Sequence, residues 1–213
     1  MAQLVIFGGT GYSGSNIARE ALTRGHSVIS YARHAPTEPI DGVEYRIGSI
    51  TDPIAVKQAA ADADELVIAL RASDIDGGLV SLVPGLIDAA IAGNARLSFV
   101  GGAASALVSQ DGPRLLDTDG FREEWKVEAS AHALVLEAIQ QAPSQLDWFY
   151  VSPAALYGSF APGETTGQYR SDDDLLITKE DGSSEISGTD YALAYVDEIE
   201  RHAHPRQRFT VGH

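Results

Sequence analysis

The sequence predicts an α/β fold in which a doubly wound parallel sheet carries helices on both faces. Short apolar runs alternate with helix-like segments along most of the 213 residues, which is the order that parallel βαβ units require. Residues 66–70 are apolar throughout, as expected for a strand buried on both faces. A glycine-rich turn lies between the first apolar run and the first helix-like segment, as in folds that bind phosphate at that point.

The same patterns predict the individual elements in chain order. Apolar runs predict strands at residues 4–7, 28–33, 43–47, 66–70, 97–100, 148–151 and 208–211. Helical patterns predict helices at residues 16–24, from residue 53, at 78–93 and at 122–141. Asp52 followed by Pro53 supplies the cap and the first residue of the second helix.

The alternation ends after residue 153. Residues 154–174 are rich in Gly, Pro, Thr, Ser and Asp, and a stretch of this length is uncommon unless it serves function. We expect a hairpin from residues 175–178 and 184–186, followed by a last helix capped by Thr189. The sequence therefore predicts one domain over residues 1–213, with substrate-side loops and the hairpin within 153–190 and insertions after the fifth and sixth strands roofing a ligand crevice.

Composition restricts the classes of function. Thirty acidic residues against 15 basic ones give a formal charge of −15, which disfavours binding to nucleic acid or to an anionic membrane surface. No run of about 18 apolar residues is present. The absence of cysteine excludes disulfides and thiolate metal ligands, and we expect no metal site. The first strand begins directly after residue 3, which leaves no room for a signal peptide and favours a cytoplasmic location. We expect a monomer or homodimer whose partner is a small molecule.

The glycine-rich turn has the spacing G-x-x-G-x-x-G. Gly8 allows the chain to turn sharply, Gly11 lets the backbone approach a pyrophosphate, and Gly14 lets the following helix pack closely. Free N–H groups at the start of that helix attract an anion. The pattern predicts the phosphate-binding turn of a dinucleotide-binding Rossmann fold, the alternative being a tight turn without a ligand. Its predicted cofactor-binding residues are Gly8, Thr10, Gly11, Tyr12, Ser13 and Gly14.

The end of the second strand indicates which dinucleotide is bound. An acidic residue there would bind the 2′-hydroxyl of NAD, whereas an arginine accommodates the 2′-phosphate of NADP. This strand ends in Tyr-Ala-Arg-His, so Arg33 favours NADP(H) over NAD(H), unless it is simply a surface arginine. The other predicted contacts are Ser49 and Ile50 at the adenine, Leu70, Arg71 and Ala72 at the nicotinamide ribose, and Ser152 and Pro153 at the carboxamide.

Several motifs together resemble the atypical short-chain dehydrogenase/reductase family. They are GGTGYSG at 8–14, VGGAAS at 100–105, YVSP at 150–153, PGETTGQY at 162–169 and TDYA at 189–192. Within that family the chain resembles the NADH-flavin reductase group, which is similar to biliverdin-IXβ/flavin reductases and NmrA-like proteins. The resemblance covers essentially the whole chain. It implies a nicotinamide cofactor and a flavin-like or quinone-like acceptor, so that a flavin would be a substrate.

The sequence departs from typical family members in one important respect. Carbonyl reduction in the wider family uses a Tyr-x-x-x-Lys dyad as proton donor, and the best alignment places Ser130 and Leu134 in the dyad positions. Neither side chain can perform that role, which disfavours ordinary ketone or alcohol chemistry. His132 is the alternative acid on this helix, although a structural role is the more expected one. Hydride transfer to a flavin needs no comparable protein acid, because flavin nitrogens exchange protons with solvent.

Two further residues are candidates for positioning the substrate. Ser105 follows the fifth strand, where this family commonly keeps a serine near the nicotinamide, and its alternative role is to cap its loop. Tyr157 lies beyond the sixth strand and could stack on a substrate, or pack within its loop. The sequence thus predicts an NAD(P)H-dependent reductase that acts by direct hydride transfer. The alternative is a non-catalytic, NmrA-like sensor of NADP(H), whereas epimerase chemistry is disfavoured by the same missing dyad.

Overall fold

The computed structural model describes residues 1–213 and contains eight strands and five α-helices. The strands are β1 (Gln3–Phe7), β2 (Ser27–Ala32), β3 (Val43–Ile47), β4 (Glu65–Ile68), β5 (Arg96–Val100), β6 (Trp148–Ser152), β7 (Arg170–Asp172) and β8 (Gln207–Gly212). The helices are α1 (Tyr12–Thr23), α2 (Pro53–Asp62), α3 (Val83–Gly93), α4 (Lys126–Gln140) and α5 (Gly188–Arg201). None of the helices has the length and apolar character needed to cross a membrane.

The strands form one sheet in the order β3-β2-β1-β4-β5-β6-β8-β7. All neighbours are parallel except β7, which runs antiparallel to β8. The chain builds outward from β1 through β2 to β3, and then crosses to the other side of β1 to form β4. This reversal is a topological switch point, where α/β sheets of this kind bind ligands at the carboxyl ends of their strands.

Two apolar cores cover the two faces of the sheet. Leu4 and Ile6 of β1 pack with residues of α1 and α5, whereas Val5 and Phe7 pack with residues of α2, α3 and α4. Successive side chains of a strand point to opposite faces, so β1 contributes to both cores and is buried from Leu4 to Phe7. This arrangement confirms the predicted doubly wound sheet and places the turn after β1 on a rigid support.

Most predicted elements are present with small shifts at their ends. The predicted cap of α2 is confirmed, because Asp52 Oδ1 accepts a hydrogen bond of 2.9 Å from the N–H of Ile54. α1 begins at Tyr12, four residues earlier than predicted, since Gly11 acts as its N-cap. The predicted third helix is divided into a 3₁₀ turn, Leu79–Leu82, and α3, and the fourth likewise begins with a 3₁₀ turn before α4.

Two predictions in the C-terminal third are wrong. Residues 175–178 and 184–186 form no strand ladder with each other, although Ser184 Oγ donates a 2.6 Å hydrogen bond to the carbonyl of Ile177. Leu175 instead forms a bridge with Leu107, and Glu185 forms one with Leu156. Thr189 does not cap the last helix. Ser187 Oγ accepts a 3.0 Å hydrogen bond from the N–H of Asp190 and is the N-cap of α5.

Candidate functional site

A cavity of about 840 Å³ lies at the switch point, among the segments that follow β1, β2, β3 and β4. Its volume is within the range of about 300–1,000 Å³ that is usual for small-molecule and cofactor sites. Seven of the predicted cofactor-binding residues line it, namely Gly8, Thr10, Arg33, Ser49, Ile50, Leu70 and Arg71. The structure therefore brings together residues from four separate sequence segments at the place where the fold favours a ligand.

At two positions of the turn between β1 and α1, Gly8 and Gly14, there is no space for a residue larger than glycine. Gly8 has a φ of +92°, and a Cβ there would lie 2.2 Å from the carbonyl oxygen of Ala69. A Cβ at Gly14 would lie 2.3 Å from the carbonyl oxygen of Gly8, so Gly14 packs against the turn itself. No side chain caps the first turn of α1, and its N–H groups remain available to an anion.

Tyr157 is half-buried and contacts the glycine-rich turn. Its hydroxyl donates a 2.8 Å hydrogen bond to Ser13 Oγ, and its ring packs against Tyr12 and Tyr191 at centroid distances of 5.6 and 4.5 Å. Burial raises the pKa of Tyr157, so the phenol remains a neutral donor. Tyr12 in turn accepts a 3.0 Å hydrogen bond from the N–H of Gly188. This geometry favours the packing role for Tyr157, the alternative to substrate stacking that the sequence left open.

Arg33 extends from the loop after β2 into the solvent-exposed wall of the cavity. No carboxylate lies within ion-pair distance of its guanidinium. The strand end carries no acidic residue, as the sequence shows, but Glu38 further along the same loop also lines the cavity. An incoming phosphate would therefore meet one free cation and one anion on this wall.

Glu128 of α4 fixes the loop that follows β4, and sequence analysis did not identify this role. Its Oε1 accepts a 2.9 Å hydrogen bond from the N–H of Ala72, and its Oε2 accepts one of 2.9 Å from the N–H of Ser73. The hydroxyl of Ser73 also donates to Oε2. The carbonyl of Ala72 accepts from the N–H of Leu79 at 2.9 Å. Both backbone groups of Ala72 thus have partners, and Ala72 is fully buried and does not line the cavity, so the structure gives no support to its predicted contact with a ribose.

These contacts change the acidity of Glu128. Burial opposes ionisation, but hydrogen bonds from His132 and Ser73 outweigh it and lower the pKa of Glu128 to about 2. Glu128 and His132 are four residues apart on the helix, with His132 Nε2 3.1 Å from Glu128 Oε1. This i, i+4 spacing of Glu and His was the signal available in the sequence, although nothing local indicates the distant loop that Glu128 binds.

Replacing Glu128 by glutamine is expected to reduce the free energy of unfolding by about 2 kcal/mol at neutral pH, because hydrogen bonds to a charged group are lost. The lowered pKa means that the contribution is complete above pH 4.5, the ordinary value, and disappears as the pH falls toward 2. Urea unfolding of both proteins across this range measures the difference. Glu137→Gln, an exposed change on the same helix, should alter stability by less than about 0.5 kcal/mol. A constant difference between wild type and Glu128→Gln at all pH values would contradict this account.

His132 connects α4 to the turn after β5. Its Nδ1 lies 3.4 Å from Tyr150 Oη, and the Tyr150 hydroxyl donates to the carbonyl of His132 at 3.1 Å. The N–H of Gly102 donates to Tyr150 Oη at 3.3 Å. Both ring nitrogens of His132 therefore face partners within the chain, which favours a structural role. Ser130 and Leu134, at the positions of the missing dyad, are exposed on α4.

The ends of β5 and β6 carry two hydroxyls that have no partner in the chain. Ser105 closes the 3₁₀ turn Ala103–Ser105 after β5 and is half-buried. Ser152, the last residue of β6, is fully buried, and its Oγ makes no hydrogen bond. The adjoining Pro153 is also buried. A buried hydroxyl without a partner is unusual in a folded protein, but Ser30 Oγ and Ser98 Oγ share this condition, so it does not single out the end of β6.

Comparison with known proteins gives a consistent result. A family model described as NAD(P)H-binding matches residues 8–201. The uncharacterised protein YwnB of Bacillus subtilis is 34% identical over 97% of this chain and 96% of its own length. A crystal structure from Burkholderia pseudomallei, of a protein provisionally named as exported, is 36% identical, covers 100% of both chains and has a TM-score of 0.88. One from Streptococcus pneumoniae, provisionally named NADH-flavin reductase, is 29% identical over 100% of this chain and 99% of that chain, with a TM-score of 0.84.

Proposed function

The chain belongs to the NAD(P)H-binding family, and from this premise we propose that it is an NADPH-dependent reductase of flavin-like or quinone-like acceptors. The observation that carries the proposal is the cavity at the switch point. Its base is the glycine-rich turn, in which Gly8 and Gly14 leave no space for a Cβ. Its outer wall presents Arg33, which has no carboxylate partner. These features suit the pyrophosphate and the 2′-phosphate of one molecule.

Other residues that line the cavity or lie near it are assigned to the remaining parts of the same cofactor. We assign the pyrophosphate to the backbone of the glycine-rich turn and to Ser13, and the adenine to Ser49 and Ile50. Leu70 and Arg71 would contact the nicotinamide ribose, and the unpartnered hydroxyl of Ser152 and the backbone of Pro153 the carboxamide. Glu128 supports this end of the site indirectly, because it holds the loop after β4 in place.

The reaction assigned to the site requires positioning more than acid catalysis. The bound cofactor supplies a hydride, that is two electrons and one proton, which an oxidised flavin takes up together with one proton from water. The part of the protein would be to position the two rings against each other and to exclude water from the nicotinamide edge. No tyrosine–lysine pair is present, and His132 is engaged with Glu128 and Tyr150. A carbonyl substrate, which needs a proton donor as its oxygen becomes negative, fits this site poorly.

Consumption of NADPH and NADH, followed by the absorbance of the reduced nicotinamide, tests the proposal. FMN, riboflavin and a simple quinone form one acceptor panel, and aldehydes and ketones form the control panel. We expect oxidation that depends on a flavin or quinone, is faster with NADPH, and is absent with carbonyl compounds. Absence of turnover with every acceptor, despite tight NADPH binding, would overturn the reductase and favour an NmrA-like sensor of NADP(H).

Ser105 provides a test of the acceptor side of the site. Its hydroxyl is free to donate to the acceptor, and such a hydrogen bond is worth about 0.5–1.5 kcal/mol. We therefore expect Ser105→Ala to raise the KM for FMN about 2- to 10-fold while leaving the Kd for NADPH unchanged. Ser109→Ala, an exposed change further along the same loop, is the matched control. An unchanged KM would assign Ser105 to its loop alone.

A further inference from the structure

Almost every arginine of this acidic chain is committed to a partner within the chain. Arg170 and Arg206 donate to backbone carbonyl groups. The arginines that lie within ion-pair distance of a carboxylate are Arg24, Arg46, Arg71, Arg96, Arg114, Arg122, Arg201 and Arg208. Only Arg19 and Arg33 remain outside both groups.

Both of these arginines line the cavity at the switch point. Arg33 comes from the loop after β2 and makes no hydrogen bond within the chain. Arg19 comes from α1, and its one contact is a long hydrogen bond of 3.4 Å from Nη1 to the carbonyl of Ser15. The chain has 30 acidic residues, yet neither guanidinium group forms an ion pair with any of them, and both line the same cavity. This arrangement indicates that the two groups bind an external anion.

The other charges of the cavity explain why one arginine would be insufficient. Glu38, Asp74 and Asp76 also line it, and Arg71 lies 3.8 Å from Asp74. These four residues alone leave an excess of negative charge, which would repel a phosphate dianion. Arg19 and Arg33 together offset that excess, and a guanidinium is well suited to bind phosphate oxygens in pairs.

We propose that Arg19 and Arg33 together form the subsite for the 2′-phosphate of NADPH, so that Arg19 is a second residue that determines cofactor specificity. The inference rests on the proposed cofactor site and adds a residue to it. The role of Arg33 follows from its position at the end of β2. Arg19 lies on α1, and its role follows from its position in the lining of the cavity.

Equilibrium titration with whole cofactors and with adenine fragments tests the assignment without requiring turnover. The ligands are NADPH, NADH, adenosine 2′,5′-bisphosphate and adenosine 5′-monophosphate. An exposed charged contact of about 1 kcal/mol predicts that Arg19→Ala weakens NADPH and the bisphosphate about 3- to 10-fold. NADH and the monophosphate should change by less than about 2-fold, and the selectivity should decrease as salt is added.

Arg122→Ala is the matched control, because it removes the same charge from an exposed arginine outside the cavity. It should leave the NADPH-to-NADH selectivity unchanged. Equal weakening of all four ligands by Arg19→Ala, or no weakening at all, would overturn the role of Arg19. If Arg33→Ala still lowered the selectivity in that case, the proposed function would stand without Arg19. A wild-type protein that binds neither dinucleotide would instead refute the proposed function itself.

Discussion

Gly14→Ala is expected to weaken NADPH binding by at least about 100-fold, which corresponds to about 2.7 kcal/mol. The new Cβ would lie 2.3 Å from the carbonyl oxygen of Gly8 and 2.8 Å from both the carbonyl carbon of Gly8 and the Cα of Gly9. All three are backbone atoms, so no side chain can rotate away to relieve the contact. The turn must open, and the N–H groups assigned to the pyrophosphate then lose their alignment.

Two other glycine variants separate binding from folding in this experiment. Gly85→Ala in α3 meets no atom within 4 Å, and should retain binding and gain about 0.5–1 kcal/mol of stability. Gly11→Ala has a single contact at 3.3 Å, so the chain should fold while the exposed methyl group hinders the cofactor and weakens binding about 10-fold. Titrations of the three variants measure these differences. Wild-type affinity in both Gly11→Ala and Gly14→Ala would show that the turn does not hold the cofactor.

Arg33→Ala is expected to weaken NADPH about 10- to 100-fold and NADH less than about 3-fold. A hydrogen-bonded contact with a charged group contributes about 1.5–3 kcal/mol, and only NADPH carries the 2′-phosphate that would receive it. Titration of both cofactors into wild type and variant gives the ratio directly. The effect should exceed that of Arg19→Ala, because Arg33 makes no hydrogen bond within the chain, whereas Arg19 is partly held by Ser15.

Arg33→Lys refines this test. Lysine keeps the positive charge but cannot form the paired hydrogen bonds of a guanidinium, so an intermediate selectivity is expected. Arg122→Ala again controls for the change in net charge. Equal weakening of NADPH and NADH by Arg33→Ala would remove the reason for assigning NADP, and would direct attention to Glu38 as a partner of the ribose of NAD.

The predictions that succeeded depend on local sequence. An apolar strand, a glycine-rich turn and a helix occupy the first 23 residues of the structure in that order, and each glycine can be interpreted from its neighbours. Asp52 and Pro53 likewise determine the start of α2 within three residues. Wherever the physical cause lies within one turn of the chain, the sequence was sufficient to place the element.

The predictions that failed depend on distant partners. Glu128 binds the backbone of Ala72 and Ser73, more than 50 residues away in the sequence, and no local pattern identifies such a contact. The expected hairpin failed for the same reason, since Leu107 and Leu156 pair with its two sides.

The start of α5 shows how tertiary contacts choose between local alternatives. Ser187 and Thr189 are both acceptable N-caps by residue type. Gly188 packs so closely on Tyr12 that a Cβ there would lie 2.7 Å from the phenol oxygen, and the N–H of Gly188 donates to that oxygen. This contact with the glycine-rich turn accompanies the helix start at Ser187, and it was not visible in the sequence.

Titration of the wild-type protein with NADPH and NADH, followed by the fluorescence of the reduced nicotinamide, tests the central claim most directly. We expect saturable binding of one NADPH per chain, weaker binding of NADH, and displacement of NADPH by adenosine 2′,5′-bisphosphate. Absence of binding by either dinucleotide, or binding that the bisphosphate does not displace, would contradict the assignment of the switch-point cavity to this cofactor.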